Sequence, residues 1–355
     1  MSQKIPVILL GATGTVGQRF IQMLENHPMF ELAALAASDR RTGERYGDSC
    51  RWLLNGQMPE QAAGMTLRSA EPGFEEFKPE GTLVFSALPT ADARRLEPLF
   101  AQAGFRVCSN ASAFRQEPGV PLIIPEVNAD HLKMIDEQQR LYGWKGCILT
   151  SPNCTTTGLV MPLKPLHAAF GVRRLFVTTL QAVSGAGYPG LSVLDMMDNV
   201  IPYIAGEEDK MEHETRLLLG SVQAGERTPA EMRISASVNR VPVLDGHTVC
   251  FSAEFEQKPS VEEAKEVMRS YQAEEWVRSL PSAPAHPLQV FEQPDRPQPR
   301  LDRDAENGMI ASVGRVRACA LLDLKMVSVV HNAVRGAAGG AVLNAEMLAA
   351  AGYLQ

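Results

Sequence analysis

The strongest indication of the fold is the stretch Val7-Ile8-Leu9-Leu10-Gly11-Ala12-Thr13-Gly14-Thr15-Val16-Gly17. Its apolar run ends at Gly11, as a buried parallel strand does, and a helical pattern of apolar residues begins directly after the glycines. Glycines at this junction let the backbone approach a pyrophosphate, while the helix N-terminus offers N–H donors and the positive end of its dipole. The spacing G-x-x-G-x-x-G predicts a dinucleotide site; the alternative is a tight strand-to-helix turn without a ligand.

Strand and helix patterns alternate through the first 150 residues. Apolar runs at 32–37 and 82–88 read as further strands, and this alternation predicts a parallel, Rossmann-type sheet over residues 1–150. Residues 151–330 have a different, β-rich texture and predict an α+β domain with a mostly antiparallel sheet. Within it, Asp245-Gly246 predicts a hairpin. The Ala- and Gly-rich tail, 331–355, predicts a helix that completes the first domain.

Two smaller segments also carry predictions. Residues 280–300 hold six prolines, which predict a long extended loop. Three histidines in helical, polar surroundings, at positions 131, 167 and 213, are interpreted as surface residues.

The charge balance excludes two classes of partner. Lys and Arg number 34 against 41 Asp and Glu, so the formal net charge is −7. Nucleic acids and anionic membranes require clustered basic residues, so neither is expected as a partner. No apolar run approaches the ~18 residues of a membrane span, and the N-terminus lacks the pattern of a signal peptide. The six cysteines form no Cys-x-x-Cys, so we expect no disulfide framework, no metal site and a cytoplasmic location.

The end of the second predicted strand bears on the choice of dinucleotide. An acidic side chain there is typical of NAD sites, whereas an arginine accommodates the 2′-phosphate of NADP. The sequence offers Ser38 with Arg40 or Arg41, interrupted by Asp39. This favours NADP(H); the alternative is a pair of solvated arginines on a loop.

A second motif, Thr150-Ser151-Pro152-Asn153-Cys154-Thr155-Thr156-Thr157-Gly158, predicts a nucleophilic thiol. Cys154 falls in the first turn of a predicted helix, where the dipole and unpaired N–H groups lower a thiol pKa. The same N–H groups are suited to an oxyanion on a bound carbonyl. The alternative is a buried structural cysteine, but polar Asn and Thr neighbours favour the functional interpretation.

Five ordered motifs make the chain resemble the aspartate-β-semialdehyde dehydrogenases, and most of all their archaeal and fungal branch. They are Ser151-Pro152-Asn153-Cys154-Thr155-Thr156, the stretches 180–187 and 201–210, Asn239 to Thr248, and His331 to Gly340. One departure is Val238, where the family usually has a cysteine two residues before the arginine of its Arg–His signature.

The resemblance implies a role for each matching residue. Cys154 is expected to attack the acyl phosphate and release phosphate, with NADPH reducing the resulting thioester. His247 is implied as the acid–base group, which suits an imidazole of near-neutral pKa, and Gln181 as the residue that positions the acyl group. Without the resemblance, His247 reads as a turn residue after Asp-Gly.

The resemblance also implies the ligand-binding residues. For the substrate they are Arg240 on the α-carboxylate, Glu207 on the amino group, Lys210 and Arg115 on phosphate, and Asn153. For the cofactor they are Gly11, Thr13, Gly14, Thr15, Val16, Ser38, Arg40, Arg41, Ser184, Gly185 and Asn332, the last facing the nicotinamide amide. On residue chemistry alone, Arg240 reads equally as a surface arginine, and Glu207 with Lys210 as a surface i,i+3 ion pair.

Two alternatives stay open at this point. A malonyl-CoA reductase would use the same thiol on a CoA thioester. With that substrate, the phosphate-binding roles of Lys210 and Arg115 would have less purpose. A non-catalytic NADP-binding sensor would keep the glycine loop without needing Cys154, Gln181 and His247 together. The resemblance further implies a homodimer or homotetramer that acts on a small molecule.

Overall fold

The computed structural model describes residues 4–354 and contains two six-stranded sheets. The first sheet is wholly parallel, in the order β3-β2-β1-β4-β5-β6. Its strands are β1 (Ile5–Leu10), β2 (Phe30–Ala37), β3 (Leu67–Ser69), β4 (Leu83–Ser86), β5 (Arg106–Ser109) and β6 (Cys147–Thr150). The helices between them are α1 (Thr15–Leu24), α2 (Tyr46–Ser49), α3 (Glu60–Gly64), α4 (Thr90–Ala103), α5 (Pro125–Asn128) and α6 (Met134–Tyr142).

The second sheet is mixed and mostly antiparallel, in the order β10-β7-β11-β14-β13-β12. Its strands are β7 (Val172–Gln181), β10 (Arg233–Arg240), β11 (His247–Phe255), β12 (Leu288–Val290), β13 (Ala311–Ala318) and β14 (Leu324–Val330), with a separate hairpin of β8 (Ser221–Gln223) and β9 (Glu226–Thr228). The helices around it are α7 (Cys154–Phe170), α8 (Val193–Met196), α9 (Glu207–Leu218), α10 (Val261–Arg269), α11 (Glu275–Arg278) and α12 (Pro299–Asp302). The predicted fold class is confirmed.

The predicted hairpin at Asp245-Gly246 is wrong. β10 and β11, which flank this turn, do not pair with each other, because β7 lies between them and bonds to both. β10 runs parallel to β7, so the turn has to cross over the end of β7. Position 246 nevertheless requires glycine, because its backbone adopts φ +98° and a Cβ would lie 2.9 Å from Pro299.

The C-terminal segment returns to the first sheet. A π-helical turn, Val334–Ala338, leads into α13 (Gly339–Ala350). α13 is mostly apolar and buried on nearly every side, and its buried apolar residues join the same core as β1, β2 and β4. A helix of this composition is stable only when other elements surround it.

Two further predictions need correction. The proline-rich segment 280–300 is not wholly extended, since it contains the short strand β12 and the start of α12. His131 is buried, with Nδ1 3.0 Å from the Asn128 amide, whereas His213 is exposed and His167 lies between. Burial lowers the pKa of His131 to about 4. None of the helices in residues 4–354 combines the length and apolar character needed to cross a bilayer.

Candidate active site

A cleft of ≈ 860 Å³ lies where the two sheets meet. Its walls come from the start of α1, the loop after β4, the start of α7, the loop after β7 and the π-helical turn. Eight of the predicted site residues line it, namely Thr15, Val16, Arg115, Asn153, Cys154, Ser184, Gly185 and Asn332. The cleft thus brings the predicted dinucleotide loop and the predicted thiol into one space.

The glycine loop is shaped to admit a phosphate. Gly11 adopts φ +79°, and a Cβ there would lie 2.6 Å from the Ala87 carbonyl oxygen. A Cβ on Gly17 would lie 2.3 Å from the Gly11 carbonyl oxygen, so both positions require glycine. Gly14 is the N-cap of α1 and has no side chain to cap it, so first-turn N–H groups stay available to an anion. These residues fit a dinucleotide pyrophosphate.

The predicted 2′-phosphate residues lie at the carboxyl end of β2, outside the cleft lining. Ser38 and Arg40 are exposed, and Arg40 makes no hydrogen bond or ion pair with any of residues 4–354. The Arg41 guanidinium instead donates to the Ser49 carbonyl, and Asp39 accepts a 2.7 Å hydrogen bond from Ser69. The geometry therefore distinguishes the two arginines: Arg40 is available to a ligand, and Arg41 supports the loop.

The start of α7 holds Cys154 in a tightly capped turn. The Asn153 side-chain oxygen accepts hydrogen bonds from the N–H groups of Thr155 and Thr156 at 2.9 and 3.1 Å. This cap corrects the expectation that several N–H groups at this helix end serve an oxyanion, because two of them are already bonded. Among the N–H groups in the first turn of α7, that of Cys154 alone has no acceptor within residues 4–354.

Cys154 and His247 form the central contact of the site. The thiol Sγ lies 3.2 Å from His247 Nε2, although the two residues are 93 positions apart in the sequence. The backbone N–H of Ala182 donates to His247 Nδ1 at 3.1 Å. Because Nδ1 accepts a hydrogen bond, the hydrogen of the neutral imidazole resides on Nε2 and points at the sulfur.

Burial changes the titration of both groups from what the sequence predicts. It raises the pKa of Cys154 to about 11, assisted by Glu207, and this outweighs the opposing effects of Arg115 and Arg240. Burial, Arg240 and His331 lower the pKa of His247 to about 3. Both shifts run opposite to the predictions of a lowered thiol pKa and a near-neutral imidazole pKa, because burial disfavours the charged form of each group.

Arg240 and Gln181 end adjacent parallel strands and reach the site together. They are register partners on β10 and β7, and both are buried. Arg240 donates from Nη1 to the Ala182 carbonyl at 2.7 Å. A Cβ on Gly185 would lie 2.8 Å from that same Nη1 and 3.2 Å from His247 Nε2, so the glycine lets its loop close over both side chains.

α9 brings the predicted ion pair to the nucleophile. Lys210 donates to Glu207 Oε1 at 3.0 Å, and Asn153 Nδ2 donates to the other oxygen, Oε2, at 2.8 Å. Glu207 is therefore buried and linked to the cap of α7, which a solvated surface pair would not be. Lys210 remains half-buried, at the edge of the same network.

Arg115 follows the last turn after β5 of the first sheet and is held by Glu214, a residue that the sequence motifs did not indicate. It donates to Glu214 Oε1 at 3.1 Å and to the Asn110 carbonyl at 2.8 Å. Glu214 is also buried, and it stands seven residues after Glu207 on the same face of α9. That spacing was the signal available in the sequence. Arg19 and Arg303, which also line the cleft, were missed as well.

Asn332, which was predicted to face the nicotinamide, also connects two loops of the site. Its side chain accepts from the Gly246 N–H and donates to Ser184 Oγ, both at 2.8 Å. It thus ties the turn before His247 to the loop after β7. Among residues 4–354, no group of three or more His, Cys, Asp or Glu is arranged to hold a metal ion.

Comparison with known proteins gives the family. Residues 6–135 match the model "Semialdehyde dehydrogenase, NAD binding domain" and residues 163–335 match "Semialdehyde dehydrogenase, dimerisation domain". A relative from Archaeoglobus fulgidus, named aspartate-semialdehyde dehydrogenase, is 49% identical over 96% of both chains. The chain belongs to the aspartate-semialdehyde dehydrogenase family. The predicted family is thereby confirmed, as is the class of dinucleotide-dependent oxidoreductase.

Other members of the aspartate-semialdehyde dehydrogenase family agree with this result. The enzyme of Schizosaccharomyces pombe is 45% identical over 98% of both chains. A crystal structure of the Candida albicans aspartate semialdehyde dehydrogenase, solved with NADP, superposes with a TM-score of 0.90 at 44% identity, covering 97% of this chain and 98% of that one. These relatives support the main prediction and not the malonyl-CoA reductase or sensor alternatives.

Proposed function

We propose that this chain catalyses the NADPH-dependent reductive dephosphorylation of L-4-aspartyl phosphate to L-aspartate 4-semialdehyde. The product is a precursor of lysine, diaminopimelate, threonine and methionine. One observation carries the proposal: Cys154 Sγ lies 3.2 Å from His247 Nε2, in the cleft that the dinucleotide loop also lines.

In the proposed reaction Cys154 is the nucleophile. A bond forms between Sγ and the acyl carbon, and the carbon–oxygen bond to phosphate breaks. The thiol proton leaves with the phosphate as hydrogen phosphate, and a thioacyl group stays on the enzyme. The Cys154 N–H, which has no protein acceptor in the described chain, donates to the oxyanion. His247, with its hydrogen on Nε2, donates to sulfur as negative charge develops there and to the aldehyde oxygen later.

Each charged side chain of the site is proposed to bind a different group of the substrate. Arg240 has a planar guanidinium with no carboxylate partner among residues 4–354, which suits it to the α-carboxylate of the substrate. Glu207 is proposed for the amino group, and Lys210 with Arg115 for phosphate. Gln181 would orient the acyl group from the end of β7, and Asn153 supports the turn.

The cofactor role is assigned to the residues of the glycine loop and the strand end beside it. Gly11, Thr13, Gly14, Thr15 and Val16 would hold the pyrophosphate, and Ser38 with Arg40 the 2′-phosphate. NADPH, when bound, supplies the hydride that reduces the thioester. Ser184, Gly185 and Asn332 would border the nicotinamide, with Asn332 acting mainly by fixing Ser184.

The proposal also covers domains, assembly and location. We assign residues 1–150, with 331–355, to cofactor binding, and residues 151–330 to catalysis and dimerisation. A homodimer or homotetramer is supported by the match to a dimerisation-domain model and by the apolar surface of residues 193–203, where Val193, Leu194 and Tyr203 are exposed. A cytoplasmic location is consistent with six cysteines that form no disulfide.

The first experiment follows NADPH absorbance with L-aspartate 4-semialdehyde, phosphate and NADP, and then with NAD. Phosphate-dependent NADPH formation, faster with NADP than with NAD, is expected. An Arg40→Ala variant should lose the preference for NADP, whereas Arg41→Ala should lose stability instead. Absence of any phosphate-dependent signal from a protein that binds NADP would contradict the proposal.

A further inference from the structure

α9 turns three ionisable side chains toward the active site. Glu207, Lys210 and Glu214 lie three and seven residues apart, so they share one face of the helix. Two of them have proposed substrate roles. Glu214 has none, although it is almost completely buried, with a relative exposure of 1%.

The two carboxylate oxygens of Glu214 contact two different parts of the site. Oε2 accepts the backbone N–H of Asn153 at 2.6 Å, immediately before the nucleophile. Oε1 accepts from Arg115 Nη1 at 3.1 Å. A single carboxylate therefore joins the turn that carries Cys154 to the arginine assigned to phosphate.

These contacts are suited to fix positions. Hydrogen bonds to an ionised carboxylate are about twice as strong as neutral ones, and a buried arginine without its partner is strongly destabilised. Arg115 belongs to the loop after β5, whereas Glu214 belongs to the second domain, so the contact crosses between the two. Arg227, in the hairpin β8–β9, reinforces the same loop by donating to the Arg115 carbonyl at 2.9 Å and the Glu117 carbonyl at 3.1 Å.

The bonds of Arg115 leave some of its N–H donors for a ligand. Nη1 is bonded to Glu214, and Nη2 donates to the Asn110 carbonyl. Nε is buried and has no partner among residues 4–354. Glu214 orients the guanidinium of Arg115. The remaining donors of Arg115 are therefore held in a fixed position relative to Cys154 Sγ, in the cleft that both residues line.

We propose that Glu214 is a positioning residue. It fixes Arg115, the residue assigned to phosphate, relative to the turn that carries Asn153 and Cys154. The inference rests on the proposed function, because the anion concerned is the phosphate of that reaction. Glu214 itself touches neither substrate nor cofactor. Its loss should weaken phosphate binding and slow chemistry, while the site for the amino acid part of the substrate is retained.

The test compares Glu214→Gln with Glu212→Gln. Glu212 is a matched control, because it lies on the same helix and accepts a backbone N–H, that of Ala236 at 3.0 Å, away from the cleft. In the phosphate-consuming direction, Glu214→Gln should raise the KM for phosphate by about tenfold or more and lower kcat, with the KM for the semialdehyde changed less than about twofold. The control should change none of these by more than about twofold.

A second readout needs no turnover. Inorganic phosphate should protect Cys154 of the full chain from iodoacetamide, measured at that residue by mass spectrometry. The phosphate concentration for half-protection should rise by about tenfold in Glu214→Gln and stay unchanged in the control. If Glu214→Gln does not fold, Glu214→Asp is measured in the same way, since it keeps the charge but is too short to reach both partners.

The outcomes separate the two proposals. A wild-type protein without phosphate-dependent NADPH formation contradicts the proposed function. An active wild type, with Glu214 and Glu212 variants that match in phosphate KM and in half-protection, overturns the positioning role and leaves the function intact. A fall in unfolding temperature without the split between the two KM values also overturns it.

Discussion

Cys154 and His247 acquire their chemistry from where they are placed. The helix N-terminus and two arginines favour a thiolate, yet burial beside Glu207 holds the pKa of Cys154 at about 11. The Ala182 N–H fixes the imidazole hydrogen on Nε2. The His247 Nε2–H group is thus already directed at the Cys154 sulfur. The sulfur becomes negatively charged only as the reaction proceeds.

Cys154→Ser should abolish turnover while leaving NADP binding within about twofold of wild type. The hydroxyl is a far weaker nucleophile at the same position, but the glycine loop and the cleft remain. Turnover is measured by NADPH formation, and binding by fluorescence titration of NADPH. Loss of cofactor affinity along with activity would mean that the thiol is structural.

Close packing of elements fixes the position of the nucleophile. The π-helical turn Val334–Ala338 lies against the start of α7, where a Cβ on Gly336 would come within 2.6 Å of the Cys154 Cβ. A π-helical turn is uncommon and occurs often at functional sites. The turn is anchored by Arg335, whose guanidinium donates to both oxygens of the buried Glu126 at 2.8 and 2.6 Å.

Gly336→Ala should displace Cys154 and lower kcat by about tenfold or more. Overpacking should also destabilise the protein by about 1–3 kcal/mol. The control is Gly64→Ala, at the end of α3, where a Cβ would meet nothing within 4 Å. Equal kcat in the two variants, with thermal unfolding followed in parallel, would show that the contact does not position the thiol.

A buried carboxyl group on α4 makes stability depend on pH. Glu97 accepts a 2.6 Å hydrogen bond from Ser109 Oγ, at the carboxyl end of β5. Burial raises the pKa of Glu97 from 4.5 to about 7. Because the folded-state pKa is the higher one, the contribution to stability is fully present below pH 4.5 and is lost as the pH rises through about 7.

Glu97→Gln should remove this dependence. Between pH 5 and 8 the free energy of unfolding of the variant, relative to wild type, should rise by about 2 kcal/mol. Urea denaturation at the two pH values measures it, and a Glu75→Gln variant, between β3 and β4, serves as an exposed control. An unchanged difference between variant and wild type would mean that Glu97 is ionised in the folded protein throughout this range.

On the scale of the molecule, the site exists only because the two sheets meet. The first provides the glycine loop and Arg115, and the second provides Arg240, His247 and the residues of α9. The exposed apolar residues after β7 form a surface that a monomer leaves uncovered. Association of two copies through this surface would bury it.

Leu194→Asp should shift the protein from the proposed dimer to a monomer. Leu194, in α8, has 89% of its surface exposed, so the change leaves the monomer's core intact but places a charge in the proposed interface. Analytical ultracentrifugation measures the shift, with Leu99→Asp on α4 as a control on the other domain. A dimer that survives Leu194→Asp at low micromolar concentration would place the interface elsewhere.

The sequence predicted most of the fold because short-range patterns specify it. The apolar run before Gly11, the periodicity of α1 and the apolar tail of α13 are local properties, and the elements form where these patterns lie. Sheet order is not local. Asp245-Gly246 has the residues of a hairpin turn, but β7 pairs with both flanking strands and excludes it.

For the site, the local sequence specifies which residue types are present and that Cys154 begins a helix. How these residues act depends on the folded chain, because pKa values, tautomer and hydrogen-bond partners are set by neighbours far away in the sequence. Burial reversed the expected pKa shift of Cys154, Ala182 fixed the tautomer of His247, and Glu214 was found only through its contacts with Asn153 and Arg115. Electrostatic effects follow distance in space and exclusion of water, and neither can be read from separation along the chain.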